Sequence, residues 1–216
     1  HAAQILTVDI CPSNGLVCTS GKDKKLCVYD SKKAQLVKMV YPHLHWIASA
    51  AWSPNGHLIA TGSYDNTIKV NDWKAISQES KCLVGHTDYV TAVKWREDGS
   101  VIVSGSRDGT VRLWDVHKGE AIHHPFLGYN PCNAGIGYQD ISDGHTHTVT
   151  TVTFQEDMVV SCSLDKTIRV WDVKSGNQVK LLTAHKGPVE SLSFRADGNV
   201  FATAGGIEKK ILFWDV

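Results

Sequence analysis

The sequence carries no surplus of charge of either sign: 22 Lys and Arg balance 22 Asp and Glu across 216 residues. Phosphate-reading domains and polybasic membrane anchors both depend on a basic excess, so neither is favoured here. No apolar run approaches the ~18 residues that span a bilayer, and no basic-then-apolar leader opens the sequence, so a soluble, unprocessed chain is expected. Cys-x-x-Cys pairs are absent too. The six cysteines, Cys11, Cys18, Cys27, Cys82, Cys132 and Cys162, lie mostly in apolar stretches such as Leu16-Val17-Cys18-Thr19. They read as small core residues in a chain too long to need disulfide staples, which points to a reducing, intracellular setting, cytoplasmic and/or nuclear.

What is present is a repeat. Gly85-His86 is followed by Val90-Thr91-Ala92-Val93-Lys94-Trp95, then Asp98-Gly99, then Val101 to Asp108, then Thr110-Val111-Arg112-Leu113-Trp114-Asp115. The same frame recurs five times, on His1, His43, His86, His145 and His185, at intervals of 42, 43, 59 and 40 residues. The units run approximately over residues 1–42, 43–85, 86–144, 145–184 and 185–216. Within each, short Val-, Ile- and Thr-rich runs alternate with Asp- and Gly-containing turns, the pattern of β-hairpins. Three strands fall between each His and its closing pair, aromatic-Asp in four units and Asn71-Asp72 in the second, and a fourth, such as Lys81 to Val84, fits before the next His. No helical period competes, so the chain is expected to be all-β.

These residues closely resemble the WD-repeat family, whose signature is Gly-His near the start and Trp-Asp at the end of a ~40-residue unit. The resemblance covers essentially the whole chain and implies a β-propeller of four-stranded blades, each needing its neighbours to cover its apolar faces. Three strands in each of five units plus four connecting strands make nineteen, one short of five complete blades. The expectation is therefore an incomplete segment of a larger propeller of six to eight blades, most often seven, with a closed five-bladed ring as the minority alternative.

The recurring His, Ser/Thr, Asp and Trp invite comparison with a Ser-His-Asp triad. An enzyme needs one such site, whereas this constellation recurs as His86, Ser104, Asp108, Trp114 and again as His145, Ser161, Asp165, Trp171. The resemblance makes it a structural network: neutral His links Asp to Ser, and Ser accepts from the indole N–H. Tyr29 and Asn71 replace the Trp in the first two units, which predicts incomplete networks there. Glu208 replaces the Asp in the fifth, where the His-to-Trp spacing is 29 instead of 28 and a remodelled turn is expected.

Two surfaces are candidates for partner binding. About 17 extra residues between Asp115 and His145 form a Gly-, Pro- and Asn-rich connection holding Phe126, Tyr129 and Tyr138. Its Gly135-x-Gly137 lacks the third Gly and the helix of a dinucleotide site. His123, His124, Cys132 and His147 match no zinc spacing, so no metal or cofactor is expected. The second surface is the narrow face of the ring. There the resemblance implies channel-facing positions just before and after the first residue of the first strand and just before the turn Asp: Gln4, Leu6, Lys22; Trp46, Ala48, Tyr64; Tyr89, Thr91, Arg107; Thr148, Thr150, Leu164; and Pro188, Glu190, Ile207. Trp46, Tyr64, Tyr89, Thr91, Arg107 and Glu190 are the candidates for contact, because Trp, Tyr and Arg dominate binding hot spots. The reading that follows is a non-catalytic scaffold binding proteins or peptides within a multiprotein complex, with no membrane contact. The alternative is a chromatin- or RNA-associated adaptor touching nucleic acid directly; its Lys clusters, such as Lys22 to Lys25, are broken by acidic residues. A propeller-based enzyme is less favoured still.

Overall fold

The computed structural model describes residues 1–75, 80–122 and 144–215. Nineteen strands, the number counted from the repeat, form five antiparallel meander sheets and no helix among the described residues. The first sheet holds β1 (Ile5–Ile10), β2 (Leu16–Gly21), β3 (Leu26–Asp30) and β4 (Gln35–Val40). The second holds β5 (Ile47–Trp52), β6 (Leu58–Ser63), β7 (Thr67–Asp72) and β8 (Lys81–Val84). The third holds β9 (Val90–Trp95), β10 (Val101–Ser106), β11 (Val111–Asp115) and the short β12 (Glu120–Ala121). The fourth holds β13 (Val149–Gln155), β14 (Met158–Ser163), β15 (Ile168–Asp172) and β16 (Gln178–Leu182), and the fifth has three strands, β17 (Ser191–Phe194), β18 (Val200–Gly205) and β19 (Lys210–Asp215).

The core is distributed along the seams between blades. Four apolar clusters occur, each drawing its residues from two consecutive sheets. The second strands β6, β10 and β14 are buried almost end to end, which is why they read as continuous small or β-branched runs such as Val-Ile-Val-Ser-Gly-Ser. Glycine within such a run marks a close approach: a Cβ on Gly105 would sit 2.5 Å from Val149 Cγ1 of the next blade, and one on Gly62 would sit 2.7 Å from Val90 Cγ1. The five blades do not close on one another. Val8 and Ile10 on the first blade are 63% and 64% exposed, and Ile211 and Phe213 on the last are 64% and 73% exposed.

The first four blades share a device that periodicity does not reveal. The pairing of the first strand with the second slips by one residue at Ile5/Thr7, Ile47/Ser49, Val90/Ala92 and Val149/Thr151. Each slip is a β-bulge, and the extra residues are Leu6, Ala48, Thr91 and Thr150. A bulge bends its strand and re-aims a side chain. The residue after the turn acid adopts a left-handed backbone in all five blades, at Lys24, Asn66, Gly109, Lys166 and Lys209. The fifth turn therefore keeps its conformation in spite of Glu208, and its remodelling consists of one added residue before the turn.

Candidate functional site

The network of the third blade is a chain of hydrogen bonds with one consistent proton arrangement. Trp114 Nε1 donates to Ser104 Oγ at 2.8 Å, Ser104 Oγ donates to His86 Nε2 at 2.7 Å, and His86 Nδ1 donates to Asp108 at 2.9 Å. The Asp108 carboxylate also accepts from the Thr110 hydroxyl at 2.6 Å and from the Thr87 and Thr110 amides. The fourth blade repeats this on Trp171, Ser161, His145, Asp165 and Thr167. Burial drives both imidazoles below their ordinary pKa of 6.5, against the opposing pull of the carboxylates. Burial would raise the Asp108 and Asp165 carboxyls, but bonds from the imidazoles and threonines outweigh it and hold both well below 3.8. Ser104 and Ser161 are fully buried and already accept an indole proton, so no substrate carbonyl can reach either hydroxyl. The connectivity of a catalytic triad is here sealed inside the blade.

The second network is more complete than its missing indole predicts. Asn71 Nδ2 takes the place of the indole donor, 3.3 Å from Thr61 Oγ1, while His43 bridges Thr61 and Asp65. In the first blade His1 joins Thr19 at 2.7 Å and Asp23 at 2.9 Å. In the fifth, Glu208 reaches His185 and accepts from the Lys186 amide, and Trp214 donates to Thr203. The longer glutamate spans the gap left by the added residue.

At the end of the blades where the first strands begin, a recurring backbone bond sets pairs of side chains next to each other. The amide of the residue before the turn acid donates to the carbonyl of the residue before the first strand: Lys22 to Gln4, Tyr64 to Trp46, Arg107 to Tyr89 and Leu164 to Thr148. In the second and third blades these pairs merge into one aromatic stripe. Trp46 and Tyr64 lie 5.4 Å apart, and Tyr64 stacks on Tyr89 across the seam at 4.2 Å. Cations close both ends: Lys22 Nζ lies 4.7 Å from the Trp46 ring centroid, and the Arg107 guanidinium 5.2 Å from that of Tyr89. Arg107 remains 56% exposed, with Asp88 Oδ2 3.7 Å away.

The other narrow-face candidates lie elsewhere. Thr91 has a different task from the expected partner contact: its hydroxyl lies 3.0 Å from Gly105 O and 2.5 Å from Val149 O of the next blade, a bond that closes a seam. Thr150 does the same towards Val189 O. Glu190 is exposed but stands in the fifth blade, with the whole fourth blade between it and Arg107, and the fifth blade shows no bulge. Phe126, Tyr129 and Tyr138, with His123, His124 and Cys132, lie outside the described residues. His147, the remaining histidine of that group, accepts from the Thr148 amide at 2.8 Å.

Two features escaped the sequence reading. His45 joins the stripe, with its ring near-parallel to Tyr64 at 5.9 Å and to Tyr89 at 6.3 Å, and its Nδ1 accepts from the Trp46 amide. The signal lay two residues after the network histidine, where Asp88 and His147 cap the following amide in the same way. The second is a lysine that crosses a seam. Lys38 donates to Ala75 O, Lys81 to Val116 O at 2.7 Å and His117 O at 2.5 Å, and Lys180 to Asp215 O at 3.3 Å. All three stand opposite a valine of the neighbouring strand, Val28, Val70 and Val170.

The sequence profile described as WD domain, G-beta repeat (WD40) matches residues 1–30, 34–72, 77–115, 138–172 and 176–215. The second, third and fifth matches begin around the outer strand of one blade and end on the third strand of the next, so the sequence repeat is offset from the blade. Among similar proteins, the guanine nucleotide-binding protein subunit beta of Oryza sativa subsp. indica is 26% identical over 214 residues, covering 94% of this chain and 53% of that protein. Pre-mRNA-processing factor 19 of Oryza sativa subsp. japonica is 28% identical over 98% of this chain and 38% of its own length. WD repeat and SOCS box-containing protein 1 of Takifugu rubripes is 34% identical over 109 residues, 49% of this chain. The chain spans about half or less of the length of these relatives. Five profile matches distributed along five blades make the chain a member of the WD40 family of WD-domain, G-beta repeat proteins.

Proposed function

We propose that this chain is a protein-interaction scaffold, part of an intracellular multiprotein complex, and that it docks a partner protein on the stripe formed by Trp46, Tyr64 and Tyr89. The observation that carries this reading is the stack of Tyr64 on Tyr89 between Lys22 and Arg107. Rigid aromatic rings with polar tips give large contact area at little entropic cost, and the flanking cations supply orientation to acidic or carbonyl groups. The backbone bond from Tyr64 N to Trp46 O and that from Arg107 N to Tyr89 O fix the stripe where the first strands of the two blades begin. Sharing a family with a G-protein subunit and a pre-mRNA-processing factor supports the general role without choosing a pathway.

The test compares affinity capture with mass spectrometry for the wild-type chain and for a Trp46→Ala/Tyr89→Ala/Arg107→Glu variant that melts like it. Partners held by the wild type and lost by the variant support the reading. The same partners on both would remove the stripe from consideration.

A further inference from the structure

Three of the four seams hold an indole at one fixed place. Trp114 packs with Ile68, Val70 and Leu83 of the preceding blade, Trp171 with Val111 and Leu113, and Trp214 beside Ile168, Val170 and Leu182. Across the first seam the matching floor is Leu26, Val28 and Val40, since Leu26 pairs with Val40 just as Ile68 pairs with Leu83. The residue facing that floor is Asn71. It is shorter than Trp, and its amide turns back onto its own blade, with Nδ2 at 3.3 Å from Ile59 O, Thr61 Oγ1 and Lys69 O. Trp73 does not take up the room: its Nε1 is fixed on Gly56 O at 2.9 Å and its ring stands edge-on to Trp52.

What remains is a cleft of about 140 Å³ between the first two blades, floored by Leu26, Val28, Val40 and Ile59 and walled by Tyr41 and Trp73. A cavity of ~150 Å³ with aliphatic walls accepts a benzene-sized guest. Its rim is basic. Among the described residues Lys38 and Lys69 line it, Lys25 Nζ lies 5.9 Å from the Tyr41 ring and Lys74 Nζ 5.5 Å from the Trp73 ring, against one lining carboxylate, Asp72. A second cleft, about 220 Å³, opens in the fourth seam between Met158, Val160, Val170, Val179 and Phe201. It has an indole in its seam already and only Lys180 against Asp215 for charge, so it lacks both features that define the first.

We propose that the first seam is a binding site for an aromatic side chain carried on an acidic segment of a partner protein. The guest ring occupies the place that Trp114, Trp171 and Trp214 fill from within the chain, and carboxylates on either side of it meet Lys25, Lys69 and Lys74. This surface shares no residue with the stripe of Trp46, Tyr64 and Tyr89, so the two stand or fall separately.

The test titrates the 216-residue chain with an acetylated, amidated Asp-Asp-Trp-Asp-Asp peptide, following the Asn71 side-chain amide by NMR and the affinity by calorimetry. Expected are saturable binding and at least a tenfold loss when Ala replaces the peptide's Trp. Asn71→Trp, which fills the cleft, should weaken binding at least tenfold while leaving the melting temperature equal to or above the wild type. Lys25→Glu/Lys74→Glu, a change confined to the rim, should also weaken binding tenfold, so the proposal stays exposed even if Asn71→Trp fails to fold. Absence of saturable binding up to about 1 mM, undiminished affinity in either variant, or a lowered melting temperature in a folded Asn71→Trp would each overturn it.

Discussion

Tyr64 and Tyr89 come from adjacent blades, yet their rings stack with centroids 4.2 Å apart and planes 6° from parallel. Each ring is held by the backbone bond that pairs it with a neighbour, Tyr64 N to Trp46 O and Arg107 N to Tyr89 O. The stack therefore links two rigid units, and its energy should appear as coupling. In a double-mutant cycle by urea unfolding, Tyr64→Ala and Tyr89→Ala should show non-additivity of about 0.5–1.5 kcal/mol. Strict additivity would mean that the rings lie side by side without supporting the seam.

Asp108 and Glu208 occupy corresponding turns but satisfy different numbers of donors. Asp108 accepts from His86, Thr87 N, Thr110 N and the Thr110 hydroxyl, whereas Glu208 serves His185 and Lys186 N and is followed two residues later by Lys210. Asp108→Ala removes the acceptor shared by the buried His86 imidazole, the Thr110 hydroxyl and two amides and should cost about 1–3 kcal/mol. Glu208→Ala should cost less, and Asp165→Ala should behave like Asp108→Ala. Equal losses for Asp108→Ala and Glu208→Ala in chemical denaturation would contradict the donor count.

The legible part of this molecule is what the repeat encodes in side-chain identity. Strand number followed from β-branched runs between turns, and the networks followed from the resemblance to WD repeats carried by the recurring His, Ser, Asp and Trp. Trp46, Tyr64, Tyr89 and Arg107 could be singled out because the resemblance to WD repeats assigns their positions in neighbouring units to one face. The bulges at Leu6, Ala48, Thr91 and Thr150 were not, because one unpaired residue leaves no mark on composition. Thr91 consequently read as a channel contact when its hydroxyl closes a seam. Lys38, Lys81 and Lys180 were missed for a related reason: a lysine on an outer strand reads as solvent-facing, and only the geometry shows its ammonium on the next blade's carbonyls. The cost of Asn71 was legible as a lost indole, but its amide bond to Thr61 and the cleft beside it belong to packing between blades.

Acid should unfold the chain in two stages. His86 and His145 have folded pKa values below 6.5, so the unfolded chain binds more protons as pH falls through that value, and stability begins to drop there. Asp65, Asp108 and Asp165 are held well below 3.8, so their contribution is intact above that pH and is lost below it. Melting temperature should decline from about pH 6.5 and then more steeply below about pH 4. Asp108→Asn should flatten the second stage. A profile level from pH 7 to 4 would contradict the neutral, buried imidazoles.

Lys81 and Trp114 hold the second seam by different means, and removing each should separate the two contributions. Trp114 is 1% exposed and packs on Ile68, Val70 and Leu83, so Trp114→Ala opens a cavity and should cost about 3–5 kcal/mol. Lys81 gives two hydrogen bonds, to Val116 O and His117 O, from an exposed position where water can replace it. Lys81→Met keeps the stem and removes the donor, so it should cost about 0.5–1.5 kcal/mol. Lys180 makes one bond of 3.3 Å, and Lys180→Met should cost less than Lys81→Met. Urea midpoints for the three variants test the order. Equal losses for the two lysines would assign their role to the aliphatic stems covering the seam, because the stems are the same and only the ammonium contacts differ.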